Sequence, residues 1–100
     1  MNIGIDMMGG DFAPLEAVKG IRHYLSNAQQ NLYCIGDATQ LKELFQHHGI
    51  ASPFLHLVDA PEVIGYHEHP TKALKEKPNS SIAIGFRYLA EGKIDAFLSA

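Results

Sequence analysis

Two carboxylates bracket a glycine pair near the start of the chain, in Asp6-Met7-Met8-Gly9-Gly10-Asp11, directly after the apolar run Ile3-Gly4-Ile5. Glycines accept positive φ and leave no Cβ to hold a ligand away from the backbone. Pro14 follows closely and suits the first turn of a helix. Strand, glycine turn and helix start in that order can receive an anion on exposed N–H groups. A second cluster lies later, where Lys72, Lys75 and Lys77 lead to Ser80-Ser81, a pair able to open a helix. Hydroxyls and amides there could hold a phosphate, with a lysine as the point charge. Both clusters also have a purely structural reading. Asp6 can end a strand, Asp11 and the serines can cap helices, and the lysines can form a solvated face. Spacing alone leaves both readings open.

Cofactor fingerprints do not fit the glycine pair. A dinucleotide-binding Gly-x-Gly-x-x-Gly needs a third glycine, and a Walker A loop needs Gly-Lys-Ser/Thr; neither is present. His67-Glu68-His69 offers metal-binding side chains, but at a tight loop spacing that is not a zinc pattern, so solvated histidines are the expectation. His47-His48 falls near a helix end and is expected to interact with its carbonyls and dipole. His56, within a strand, is expected to be packed or hydrogen-bonded. Cys34 sits mid-strand in an apolar run and reads as a small buried residue, not a nucleophile. No Ser/His/Asp arrangement emerges from the spacing.

The elements that must position these groups follow from patterning. One hundred residues with 46% apolar content and a net charge of −3 describe one soluble α/β half-domain, residues 1–100, with no electrostatic footprint for nucleic acid. No apolar run approaches a membrane span and no secretion signal is evident. A single cysteine fits a reducing, cytoplasmic setting. Short apolar strands are expected at Ile3–Ile5, Asn31–Ile35, Phe54–Val58 and Ile94–Leu98. Helical spacing appears from Pro14 to about Asn27, through Leu15, Val18, Ile21 and Leu25. A second helix, capped by Asp37, presents Leu41, Leu44 and Phe45 and stops at Gly49. A third, capped by Ser80 or Ser81, sets Ile82, Phe86 and Leu89 on one side and stops at Gly92. Alternating strands and helices with mostly continuous apolar strands predict a parallel sheet covered on both faces. Ligands of such sheets bind beyond the carboxyl ends of the strands. The last strand stops at Ser99-Ala100, where the next such loop is expected, so the chain reads as a fragment of a larger enzyme, with a complete βαβ half-domain protein as the alternative.

Taken together in order, these landmarks resemble the PlsX-type phosphate acyltransferases. The segment Ile3 to Pro14 is similar to that family's opening strand followed by Asp-Ala-Met-Gly-Gly-Asp and His-Ala-Pro. Ala60-Pro61-Glu62-Val63-Ile64, Pro70, Ala73-Leu74, Lys77 and Ser80-Ser81 match its next landmarks. Gly92 to Ala100 matches the strand that leads to a Gly-Asn-Thr-Gly loop. Met7-Met8 stands where the family usually has Ala-Met, and Phe12 where it has His. Tyr66-His67-Glu68-His69 replaces a frequent acidic run, and no catalytic role is assigned to it.

The resemblance implies a three-layer α/β/α fold with a mostly parallel sheet, of the isopropylmalate-dehydrogenase and phosphotransacetylase type. It implies transfer of an acyl group from acyl carrier protein to inorganic phosphate in phospholipid synthesis. It further implies a homodimer, peripherally membrane-associated through a region outside this chain, and no metal or cofactor. Lys77, Ser80 and Ser81 are then expected to bind phosphate. Asp6, Gly9, Gly10 and Asp11 are expected to shape the crevice wall, with Ser99 joining them at the end of the fourth strand. Two alternatives stay open: a phosphotransacetylase-like enzyme using acyl-CoA, and a non-enzymatic α/β module that holds an anion.

Overall fold

The computed structural model describes residues 1–8, 18–21, 30–62 and 75–99. Four strands, β1 (Asn2–Asp6), β2 (Asn31–Gly36), β3 (Leu55–Asp59) and β4 (Ala96–Ser99), form one sheet in the order β3-β2-β1-β4. Every pairing is parallel. Two helices are described in full, α1 (Ala38–His47) and α2 (Ser81–Ala90), and residues 18–21 are also helical.

Alternation along the strands sorts side chains to two faces, because successive residues of a strand point to opposite sides. Ile3 and Ile5 pair with Leu32 and Cys34. These side chains join Val18, Ile21, Leu41 and Phe45 in one core cluster. On the other face Ile35, Val58 and Phe97 pack with Ile84 and Tyr88 of α2. Helical elements therefore cover both faces, giving the expected α/β/α layering.

The helix ends follow local chemistry. Asp37 caps α1 by accepting the Gln40 N–H at 3.2 Å, and Asp59 at the end of β3 accepts the Ala38 N–H at 3.2 Å. After α1 and α2 the chain turns through Gly49 (φ 66°) and Gly92 (φ 77°), left-handed positions that favour glycine. At the amino end of the sheet a polar ladder fixes register. Asn31 Nδ2 donates to Asn2 Oδ1 at 3.0 Å, and His56 Nε2 lies 3.1 Å from Asn31 Oδ1. Since Asn31 gives its amide hydrogen to Asn2, its oxygen accepts from His56, which is the protonated-Nε2 tautomer. His56 also stacks on Tyr33, with centroids 4.7 Å apart. It is packed and hydrogen-bonded, as its strand position implies.

The face of α2 differs from the expected one. Ser81, Ile84 and Gly85 are turned inward, whereas Phe86 is 51% and Leu89 39% exposed. Both sets have helical spacing, and size decides between them. The small Ser81 and Gly85 let α2 approach the sheet, and the Phe97 ring fills the space over Gly85. Strand limits also shift slightly. Phe54 lies in a turn before β3, and Ile94 is buried before β4 begins. The expected helix from Pro14 to Asn27 lies mostly outside the described residues.

A Cβ at Gly85 would overlap the Phe97 ring. Gly85→Ala is therefore expected to destabilise the fold by about 1–3 kcal/mol from overpacking, more than the ~1 kcal/mol that alanine gains in helix propensity. Urea denaturation of the two chains measures this, and an alanine variant of equal or higher stability would contradict the close packing.

Candidate functional site

Strand order locates a topological switch point. From β1 the sheet grows outward through β2 to β3, and the chain then crosses back to place β4 on the opposite side of β1. That reversal between β1 and β4 is a topological switch point, where open α/β sheets bind ligands beyond the strands' carboxyl ends. Asp6 closes β1 and Ser99 closes β4, and the two are register partners across the switch. The crossover helix α2 starts at this same end of the sheet, since Ser81 reaches Asp6 directly.

Asp6 is 3% exposed, and burying a carboxyl group is costly unless it is hydrogen-bonded. Its Oδ1 accepts the Ser81 hydroxyl at 2.5 Å and the Met8 N–H at 3.0 Å. The second bond accompanies the bend of the chain at Met7-Met8, immediately after β1. One side chain thus ties the strand end, the start of the following turn and the first residue of α2 together.

Ser80 is buried and serves as the α2 cap, its Oγ accepting the Ala83 N–H at 3.3 Å. Its carbonyl takes the Ile84 N–H at 3.0 Å, and its own N–H goes to the Lys77 carbonyl at 3.2 Å. The approach to α2 is secured further by Glu62. Its Oε1 accepts the Asn79 N–H at 3.0 Å, while the Glu62 N–H donates to the Asn79 carbonyl at 3.3 Å. The Ser81 and Ile82 amides belong to the first turn, whose N–H groups have no partner inside the helix. Among the described residues none of the hydrogen bonds takes them.

The structure therefore brings together Asp6, Ser80 and Ser81, with half-buried Lys77 joined to Ser80 through its backbone and Ser99 joined to Asp6 through strand register. Gly9, Gly10 and Asp11 lie outside the described residues, as do His67, Glu68, His69 and Lys72. Glu62 and Asn79 were not singled out from sequence. Their only signal was the landmark Ala60-Pro61-Glu62, because a contact across this loop leaves no local periodicity. No group of three His, Cys, Asp or Glu among the described residues could hold a metal ion. No helix among them is long and apolar enough to cross a membrane. His47 and His48 meet edge-on at the end of α1, with centroids 5.2 Å apart.

With this geometry in place, comparison with known proteins decides the family. A profile of the family described as "Fatty acid synthesis protein" matches residues 1–100. The chain belongs to that family. Among curated relatives it is similar to a "Phosphate acyltransferase" of Caldicellulosiruptor bescii, 41% identical over 101 residues, covering 100% of this chain and 30% of the relative. One of Dictyoglomus turgidum is 38% identical over 100 residues with the same coverage. One of Herpetosiphon aurantiacus is 37% identical over 100 residues, 27% of its length. The chain thus spans about 30% of the length of the first two relatives. In this fatty acid synthesis family segment, the Asp6–Ser81 contact joins two of the landmarks on which the sequence resemblance rests.

Cys34 lies apart from this cluster, fully buried under α1, and burial pushes its thiol from 9.0 up to about 12. It is expected to resist Ellman's reagent in the native chain and to react on unfolding. The thiol in the unfolded chain ionises first as pH rises, so the unfolded state binds fewer protons between about pH 9 and 12 and stability falls across that window. Rapid native labelling at neutral pH would contradict the burial.

Proposed function

We propose that this chain forms the phosphate-binding wall of an acyltransferase that converts acyl-acyl carrier protein and inorganic phosphate to acyl phosphate and free carrier protein, in phospholipid synthesis. The observation that carries the reading is the Asp6–Ser81 contact, which places the start of α2 at the β1/β4 switch point. The name borne by the relatives supports the reaction type. Phosphate is already a nucleophile, so the reaction requires no covalent enzyme intermediate. The protein must hold it in line with the thioester carbonyl, and good orientation supplies ~7–11 kcal/mol. It must also stabilise the tetrahedral oxyanion with preorganised donors.

In this reading the Ser81 and Ile82 amides and the dipole of α2 attract the anion, with Lys77 adding a point charge and the serines completing the cradle. Gly9, Gly10, Asp11 and Ser99 shape the rest of the crevice. The assembled enzyme is a cytoplasmic homodimer that associates peripherally with membrane, and the acyl group and carrier protein are met largely by the part beyond this segment. No cofactor or metal takes part.

A chimaera in which residues 1–100 replace the matching segment of the Caldicellulosiruptor bescii relative tests this. It is expected to form acyl phosphate from long-chain acyl carrier protein and inorganic phosphate, whereas the chain by itself gives no turnover. Preference for acyl-CoA would instead support the phosphotransacetylase-like alternative. A folded chimaera without acyl-phosphate formation from either donor, when the parent is active, would defeat the proposal.

A further inference from the structure

The two edges of the sheet are finished differently. β3 forms one edge and β4 the other, and each pairs with a single neighbour among the described strands. An edge strand leaves a row of N–H and C=O groups open to another strand. On β4 the register identifies them. The Met7 N–H donates to the Ile35 carbonyl at 2.9 Å, so Ile3 and Ile5, two and four residues back, also face β2, and Gly4 faces β4. In a parallel pair a residue bonds to the two residues that flank its register partner. The partner of Gly4 is Phe97, so Ala96 and Leu98 take the bonds with β1. The Phe97 N–H and C=O point to the open edge, where no described strand meets them.

Side chains around this edge are apolar on both faces. Leu98, the partner of Ile5, lies on the face of the α1 cluster and is 56% exposed. On the opposite face Phe97 meets the Phe86 ring edge-on, with centroids 5.6 Å apart. Phe86 and Leu89, one turn apart on α2, are both exposed. The β3 edge lacks such a patch. Its exposed large apolar residue is Leu57 alone, and His56 and Asp59 are hydrogen-bonded within the chain. Single exposed apolar residues are ordinary, whereas a contiguous patch marks an interaction surface.

We propose that the open β4 edge is a docking seam for a strand from the part of the enzyme outside this segment. That strand is apolar on both of its faces, pairs with β4 and makes it an interior strand. Length identifies the occupant. The chain spans about 30% of the length of its first two relatives, so most of each relative has no counterpart in it and is available to cover this edge. The patch sets the pattern the occupant matches, because strands buried on both faces read as near-continuous apolar runs. Side chains on one face of the added strand cover Leu98, and the alternate ones close over Phe86 beside Phe97. Its backbone pairs with the Phe97 N–H and C=O. The switch point between β1 and β4 then lies inside a wider sheet. The inference stands on family membership and on this edge, and is independent of the anion reading of α2.

Hydrogen exchange at the Phe97 amide, in the chain by itself and in the chimaera, tests the seam. In the chain by itself this amide is expected to exchange at least about a hundredfold faster than that of Ile5, which faces β2; in the chimaera the two are expected to be equally protected. Leu98→Lys tests the side chains. It is expected to leave the melting temperature of the chain by itself unchanged, because the residue is exposed there. In the chimaera it is expected to lower the melting temperature by about 3 °C or more, because the lysine is then buried. Leu57→Lys, at the β3 edge, is expected to be tolerated in both, and a loss equal to that of Leu98→Lys would overturn the choice of edge. A Phe97 amide that exchanges freely in the folded chimaera, or a Leu98→Lys chimaera as stable as its parent, would overturn the proposal. So would a dimer of the chain by itself, seen in sedimentation, that protects Phe97 and is lost in Leu98→Lys, because the occupant would then be a second copy. The intact Caldicellulosiruptor bescii relative, measured at its counterpart of β4, gives the same readout without the junctions of the chimaera. Protection there supports the seam, and free exchange overturns it. Acyl-phosphate formation is read separately, so the seam and the acyltransferase reading stand or fall apart.

Discussion

A carboxyl group buried at the end of a central strand must find hydrogen-bond partners, and at Asp6 that requirement organises the carboxyl end of the sheet. Unpaired, it would cost several kcal/mol. Its described partners come from the turn that follows β1, through the Met8 N–H, and from the first residue of α2, through the Ser81 hydroxyl. The second is distant in sequence, so the long connection after β3 must deliver Ser81 to the end of β1. The stitching of Glu62 to Asn79 and of Ser80 to Lys77 shows how that connection is held on arrival. Satisfying one buried group therefore brings a helix N-terminus and a strand end together at the switch point.

Close approach of α2 to the sheet serves the same end. Ser81 and Gly85 are small, Phe97 covers Gly85, and the helix settles near enough for its first residue to reach Asp6. Larger apolar residues of α2, Phe86 and Leu89, stay outside, although their spacing is as helical as that of the buried set. At the opposite end of the sheet the Asn2–Asn31–His56 ladder pins the register of three strands. One end of the sheet is therefore locked by the Asn2–Asn31–His56 ladder, and the other carries the Asp6–Ser81 contact.

Much of the architecture was legible from local rules. Asp37 and Ser80 are helix caps because short oxygen-bearing side chains reach the first-turn amides. Gly49 and Gly92 end helices because they accept positive φ. Cys34 and His56 take the buried and hydrogen-bonded places that strand alternation gives them. The inward face of α2 was not legible, since a small-residue stripe and a larger apolar stripe share one period and only the fit against Phe97 selects between them. Within the site, Asp6, Ser80 and Ser81 were legible as residue types, but the division of labour among them was not. Ser80 spends an acceptor on its own helix, whereas Ser81 spends its hydrogen on Asp6.

The sequence by itself determined the class of fold, the helix ends and the family, because these depend on local conformational preference and on landmarks that keep their order along the chain. Tertiary structure alone decided the strand order β3-β2-β1-β4, and with it the switch point between β1 and β4. It alone set Asp6 against Ser81 and Ser99, residues far apart in the chain. The physical reason is that hydrogen bonding between distant groups leaves no periodic trace in a sequence. It appears only when burial forces each polar atom to name its partner.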